Sequence, residues 1–106
     1  MELKDIQKFI KKEDARLRKK FPNEDRRTCT LARMVKISEE TGELADEVLN
    51  HVSMQRKDKL DAYDKNNLSH EFADVILTTL LLAEVMDVDI EKALKEKIKK
   101  INKRYK

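Results

Sequence analysis

The sequence predicts an all-α fold of four helices. Glycine and proline each occur only once in 106 residues, and aromatic residues make up 5%. Charged residues make up 42%, and apolar residues recur at helical spacing over four separate segments. So few chain breakers, combined with many strong helix formers, favour long helices and argue against a β-rich fold.

The first two predicted helices are amphipathic. The first spans Leu3 to Lys20, where apolar residues alternate at helical spacing with lysines. Phe21-Pro22-Asn23 ends it, because the residue before a proline is pushed out of the α region. The second runs from about Thr28 to about Val52, with Asn23 or Thr28 as its expected cap. One broad side of it is apolar: Leu31, Met34, Ile37, Leu44, Ala45, Val48, Leu49 and Val52.

A long polar connection precedes the third and fourth helices. It covers residues 54–67, with a short helical turn expected near Leu60 to Tyr63. The third helix is predicted from Leu68 to Met86, capped by Asn67 or Ser69. The fourth is predicted from Ile90 to about Arg104, capped by Asp89.

The third helix has an unusual composition. From Phe72 to Ala83, every residue except Asp74 is apolar or threonine, and the apolar residues surround the helix. This pattern is typical of a buried helix. A buried carboxylate must be paired or must bind a metal, so Asp74 is expected to do one or the other.

The overall composition limits the classes of function. The net charge is +3, from 24 basic and 21 acidic residues, so the total charge gives no support for a nucleic-acid partner. Cys29 is the single cysteine and cannot form an internal disulfide. The longest uncharged apolar run, from Val75 to Ala83, is too short to cross a bilayer, and charged residues interrupt any apolar start. We therefore expect one cytoplasmic domain, residues 1–106, with no membrane partner.

Two pairs of acidic residues form the main functional motif. Glu40 and Glu43 lie in the second helix, and Glu71 and Asp74 lie in the third. A spacing of three residues places both members of a pair on one face of a helix. Two helices that bring such pairs together form an all-oxygen site of the kind that Mg²⁺ prefers. The pattern therefore predicts a Mg²⁺-dependent phosphohydrolase.

The alternative is a solvated acidic face on the second helix, together with a salt bridge from Asp74. Two observations favour a bound cation. Glu39, Glu43 and Glu47 follow each other at i, i+4 spacing, where like charges destabilise a helix by ~0.2–0.5 kcal/mol per pair. No lysine or arginine occurs from Ile37 to Gln55, although the chain is rich in both.

Gly42 lies between the two acids of the first pair. A glycine inside a helix costs about 1 kcal/mol relative to alanine, so it is expected to have a purpose. Either it lets another backbone or a ligand approach closely, or it has a simple packing role.

These motifs resemble those of a known family. Glu39-Glu40-x-x-Glu43 followed by Glu71-x-x-Asp74 is similar to the motif of the MazG-like nucleotide pyrophosphohydrolases, within the all-α NTP pyrophosphatase superfamily. Gly42-Glu43-Leu44 matches the Gly-Glu-Leu of that motif. The segment Ile101-Asn102-Lys103-Arg104-Tyr105 is similar to the closing Asn/Arg/Tyr segment of the family.

The resemblance implies a four-helix bundle that assembles as a homodimer or a dimer of dimers. It implies hydrolysis of a nucleoside triphosphate between its α and β phosphates, giving a monophosphate and pyrophosphate. The implied Mg²⁺ ligands, with Mn²⁺ as a substitute metal, are Glu40, Glu43, Glu71 and Asp74. Glu39 would orient or deprotonate the attacking water. The implied substrate contacts are Lys97, Asn102 and Arg104.

Three questions stay open at this point. A phosphoribosyl-ATP pyrophosphatase belongs to the same superfamily, although the form of the motifs argues against it. A non-catalytic helical module that binds a partner through its basic helices is the alternative from another class. The chain has no tryptophan, so the preferred base is open, and activity on several nucleotides or on damaged ones in nucleotide-pool cleaning is compatible with the sequence.

Overall fold

A computed structural model describes residues 1–61 and 63–105 of the chain. Within these ranges it contains helices and no strands, which confirms the all-α prediction. The elements are α1 Leu3–Lys20, α2 Arg26–His51, α3 Lys57–Asp61, α4 Lys65–Val85, α5 Ile90–Asn102 and a 3₁₀ turn, Lys103–Tyr105. The four long helices are all present, and α3 is a fifth, short helix within the predicted connection. Assembly into a four-helix bundle and a homo-oligomer stays a prediction. No helix in the described ranges has the length and apolar character needed to span a bilayer.

Aspartates, rather than the residues expected from the sequence, start α2 and α4. The backbone N–H of Thr28 donates to Asp25 Oδ1 at 2.7 Å, and this bond lowers the pKa of Asp25. Asp64 Oδ1 likewise accepts from the N–H of Asn66 at 2.9 Å. Both helices therefore begin two or three residues earlier than predicted, and the expected caps were wrong.

Asp89 caps α5, as predicted. Its Oδ1 accepts from the backbone N–H of Lys92 at 3.1 Å. This bond satisfies one of the donors that the first turn of a helix leaves free.

Replacement of Asp89 by alanine should destabilise the protein by about 0.5–2 kcal/mol, the usual cost of losing a capping side chain. Urea denaturation followed by circular dichroism measures this change. Lys92→Ala is the matched control, because it keeps the N–H donor and the cap and should shift the midpoint much less. Equal shifts in the two variants would contradict the capping role.

The chain forms two compact units, Met1–Thr30 with Leu80–Lys106, and Leu31–Thr79. In the first unit, Lys11 Nζ lies 3.0 Å from Glu84 Oε1. Arg26 donates to the carbonyl of Val85 at 3.1 Å and to Asp87 Oδ2 at 2.8 Å. These bonds hold α1 and the start of α2 to the end of α4. The buried apolar side chains among the described residues also belong to this unit: Ile10, Ala83 and Val85.

In the second unit, the connection after α2 is bonded back onto that helix. Asp46 accepts from Gln55 Nε2 at 3.2 Å and from Lys59 Nζ at 3.1 Å. His51 Nδ1 and the hydroxyl of Tyr63 lie 2.8 Å apart. The segment that includes α3 is therefore an ordered part of this unit rather than a free loop.

Burial in α2 and α4 differs from the prediction. The buried residues of α2 are all polar: Arg33, Glu40 and Asn50. In α4 only Ala83 and Val85 are buried, while Phe72 and Ile76 are more than half exposed. The prediction that this helix is buried on all sides is therefore wrong for the single chain.

Candidate metal centre

Three of the four predicted metal ligands come together in the second unit. Carboxylate oxygens of Glu40, Glu43 and Glu71 all lie within 4.8 Å of one another. Glu40 and Glu43 are one turn apart on α2, and Glu71 approaches them from α4. Asp74 lies one turn further along α4, and its negative charge acts on both Glu40 and Glu71. The two helices therefore bring three of the four predicted ligands together, whereas Asp74 lies outside the group of mutually close oxygens.

The cluster is partly withdrawn from solvent. Glu40 is only 7% exposed, whereas Glu71 is half-buried and Glu43 is exposed. One oxygen of Glu40 and one of Glu71, Oε2 in each, are buried without a hydrogen-bond partner among the described residues. A buried carboxylate oxygen without a partner is costly, so a bound cation or a proton would stabilise this arrangement.

The pKa values of the cluster shift in the direction that crowding of carboxylates predicts. Burial is the largest cause that raises the pKa of Glu40, followed by its interactions with Glu43 and the charge of Asp74. Burial also raises the pKa of Glu71, followed by the charges of Glu43, Asp74 and Glu40. The fully ionised cluster is thus unfavourable by itself, and a bound divalent cation would relieve both the repulsion and the loss of solvation.

Lys36 is a nearby cation that the sequence analysis missed. Its Nζ lies 3.1 Å from Glu39 and 3.6 Å from Glu40. These contacts raise the pKa of Lys36, chiefly through its hydrogen bond with Glu39. Lys36 directly precedes residues 37–55, which contain no lysine or arginine. Its i, i+4 spacing to Glu40 could have identified it as a partner of that carboxylate. One exposed lysine offsets only part of the negative charge of the cluster.

Glu47 and Asn50 extend the polar face of α2 beyond the predicted motif. Glu47 Oε2 and Asn50 Oδ1 are buried, and neither has a hydrogen-bond partner among the described residues. Together with Glu43 they follow i, i+4, i+7 spacing, which places them on the same side of the helix. This spacing was readable from the sequence, but it did not show that these side chains face inward.

The predicted substrate contacts belong to the first unit. Lys97 and Asn102 lie on α5, and Arg104 lies in the 3₁₀ turn that follows; all three are exposed. Asn102 lines a surface groove of about 450 Å³ whose other lining residues are Lys95, Ile98, Lys99 and Lys103. Their role with a substrate stays a prediction.

The family model of the MazG nucleotide pyrophosphohydrolase domain matches residues 30–106. The chain belongs to this family. The match includes every residue of the acidic cluster, and members of the MazG family generally depend on a divalent metal, which agrees with the cluster of glutamates. Membership also supports a pyrophosphatase type of hydrolase over a purely structural helical module.

A curated relative of the chain is described only as uncharacterized. The chain is 37% identical over 76 residues to the uncharacterized protein YpjD of Bacillus subtilis (strain 168). The alignment covers 72% of this chain and 67% of YpjD. No solved structure matches the chain.

Proposed function

We propose that the protein is a Mg²⁺-dependent nucleoside triphosphate pyrophosphohydrolase. It cleaves a ribo- or deoxyribonucleoside triphosphate between the α and β phosphates and releases a monophosphate and pyrophosphate. The cluster of Glu40, Glu43 and Glu71, whose oxygens lie within 4.8 Å of one another, is the main support for this proposal. Membership of the MazG family supports the same class of reaction.

The residues of the cluster fit a hard divalent cation. The donors are all carboxylate oxygens, which suit Mg²⁺ and Mn²⁺. Glu40, Glu43 and Glu71 would hold the metal, with Asp74 as the fourth carboxylate. The buried oxygens without partners are the atoms that such an ion would satisfy. When bound, the metal supplies positive charge against the phosphate oxygens and polarises a water molecule.

Glu39 is the proposed base for the attacking water. It directly precedes the metal-binding pair, and its carboxylate is more than half exposed, so water can reach it. The ion pair with Lys36 holds this carboxylate on the Glu40 side of α2. Glu39 would accept a proton from the water as the water oxygen bonds to one of the two phosphorus atoms that share the bridging oxygen. The bond from that phosphorus to the bridging oxygen breaks, the bridging oxygen leaves with the other phosphorus, and Glu39 returns its proton to solvent.

Basic and amide groups of α5 and the following turn are proposed to contact the substrate. Lys97 and Arg104 would bind phosphate oxygens, and arginine can make two parallel hydrogen bonds to such a group. Asn102 would donate its side-chain N–H. All three are exposed and available to a ligand. This proposal does not specify which nucleobase the substrate carries. Damaged nucleotides belong among the candidate substrates.

The products of a nucleotide panel test this proposal. Purified protein is incubated with Mg²⁺ and with ribo-, deoxyribo- and oxidised nucleoside triphosphates, and with phosphoribosyl-ATP, and the products are separated by ion-exchange chromatography. We expect equal amounts of monophosphate and pyrophosphate, and no reaction with excess EDTA. Release of orthophosphate and a diphosphate would contradict the assigned bond. Turnover of phosphoribosyl-ATP alone would instead identify the protein as a phosphoribosyl-ATP pyrophosphatase, the alternative enzyme of the same superfamily.

A further inference from the structure

Lys36 lies at the edge of the candidate metal centre and contacts two carboxylates there. Its Nζ is 3.1 Å from Glu39 Oε2 and 3.6 Å from Glu40 Oε1. Glu39 is the proposed base, and Glu40 is a proposed metal ligand. The Lys36 side chain is 54% exposed, whereas that of Glu40 is only 10% exposed. The ammonium group therefore has acidic side chains on one side and solvent on the other.

The ammonium group of Lys36 has more hydrogen-bond donors than these contacts use. A lysine ammonium carries three N–H donors. Glu39 lies within hydrogen-bond distance of it, whereas the Glu40 oxygen lies beyond that distance and interacts through its charge. Because more than half of the lysine side chain is exposed, the other donors can reach the oxygens of a ligand while the contact with Glu39 is kept.

The polar side of α2 carries different charges at its two ends. At 100° per residue, five polar residues lie within about 80° of one another around the helix: Lys36, Glu40, Glu43, Glu47 and Asn50. Along the axis, Lys36 lies about 6 Å before Glu40, and Asn50 lies about 10 Å beyond Glu43. A cation thus flanks the metal ligands at one end, and an acid and an amide flank them at the other. Phosphate groups are attracted to the first end, and Glu47 repels them from the second.

We propose that Lys36 binds the pyrophosphate half of the substrate, that is, its β and γ phosphates. This inference rests on the proposed function, because it adds a substrate contact to the same site. The substrate contacts that the family resemblance implies all lie in α5 and the turn after it. Lys36 lies instead on α2, beside the metal ligands, and is a separate contact.

The chemistry of the cleaved bond favours a cation at this position. The β and γ phosphates carry most of the negative charge of a triphosphate, because the terminal phosphate ionises twice. The acidic cluster repels this charge, and a divalent cation shared among several carboxylates offsets only part of it. A lysine ammonium is a compact point charge on a flexible stem, and it can follow the phosphates as the bond breaks. Its N–H donors and charge would stabilise the pyrophosphate in the transition state and as a product.

The same lysine should weaken metal binding when no substrate is present. Lys36 and a metal ion would share the charge of Glu40: the lysine lies beside Oε1, and Oε2 is buried without a hydrogen-bond partner among the described residues. Two cations beside one carboxylate repel each other. Removal of the lysine charge should therefore strengthen metal binding and weaken pyrophosphate binding. An ion pair that only stabilises the helix predicts neither change.

Isothermal titration calorimetry of Lys36→Met tests both effects without turnover. Methionine removes the charge but keeps an unbranched side chain with a similar helix propensity. For Mg²⁺ alone, the dissociation constant should fall about threefold to tenfold, and this change should shrink in high salt. For inorganic pyrophosphate with Mg²⁺, the constant should rise at least about tenfold, whereas that of the released nucleoside monophosphate should change less than about twofold. Lys36→Arg keeps the charge and should recover most of the pyrophosphate affinity.

Lys11→Met is the matched control for the loss of one lysine. It removes the same charge and an ion pair of 3.0 Å from the first unit, so all three constants should stay within about twofold of wild type. Unchanged pyrophosphate affinity in Lys36→Met would overturn the inference while the proposed activity stands, as would an equal loss of monophosphate affinity. Weaker magnesium binding would also overturn it, because the lysine would then organise the metal ligands. A wild type that neither binds Mg²⁺ nor turns over nucleotides would reject the proposed function, and this contact with it.

Discussion

Replacement of Glu43 by glutamine should lower the rate of pyrophosphate release at least about 100-fold without loss of helix content. The change removes one negative charge from the three carboxylates that meet at the candidate metal centre. Glu43 is exposed, and glutamine keeps its size and its helix propensity, so the fold should tolerate it. A bound metal contributes several kcal/mol to such reactions, and about 1.4 kcal/mol is a factor of ten in rate. A coupled assay measures the rate of pyrophosphate release, and far-ultraviolet circular dichroism measures the helix content.

Two further variants make this result specific. Asp74→Asn should also abolish turnover, because it removes the fourth carboxylate of the cluster. Glu96→Gln, an exposed acid on α5, is the matched control and should retain activity within about twofold of wild type. Full turnover in both Glu43→Gln and Asp74→Asn would refute the assignment of the site.

The sequence was sufficient to predict the helices but not all of their ends. Long stretches with helical periodicity identified α1, α2, α4 and α5, and the Asp89 cap followed from its place directly before an apolar repeat. At α2 and α4, several capping residues stand close together. Which of them accepts the first free N–H depends on the local backbone geometry, and composition does not reveal that geometry.

The sequence predicted four acidic ligands: spacing alone places Glu40 and Glu43 on one face of α2, and Glu71 and Asp74 on one face of α4. Of these, Glu40, Glu43 and Glu71 have mutually close oxygens, and Asp74 does not belong to that group.

The burial pattern of α2 and α4 could not be predicted from the sequence. Periodicity shows which residues share a side of a helix, but not whether that side is covered by the same chain, by a second copy or by solvent. The exposed Phe72 and Ile76 illustrate this limit, because an exposed apolar side chain and a core side chain give the same sequence pattern. The inward direction of Asn50 was hidden for the same reason.

Magnesium at 100 times its dissociation constant should raise the melting temperature of the protein by roughly 10–20 °C. Glu71→Gln should raise the melting temperature of the metal-free protein and should remove most of the magnesium effect. Burial and neighbouring charges raise the pKa of Glu71, so the folded state favours its protonated form. The stability linked to this group is therefore fully present below the ordinary pKa near 4.5 and is lost as the pH rises through the folded value. At pH 7 the ionised group thus destabilises the metal-free fold. Metal at 100 times its dissociation constant adds about 2.7 kcal/mol, and each kcal/mol shifts the melting temperature by about 4–8 °C in a small domain.

Differential scanning calorimetry with EDTA or Mg²⁺ measures these shifts. Glu39→Gln is the informative comparison, since Glu39 lies outside the triplet of mutually close oxygens: it should lose turnover yet keep the stabilisation by magnesium. Lowering the pH from 7 to 4.5 should shrink the difference between metal-free wild type and Glu71→Gln, because wild-type Glu71 then becomes protonated. Equal stabilisation by magnesium in wild type and Glu71→Gln would show that the metal binds elsewhere. The carboxylates of α2 and α4 would then be an electrostatic weakness of the fold without a compensating ligand.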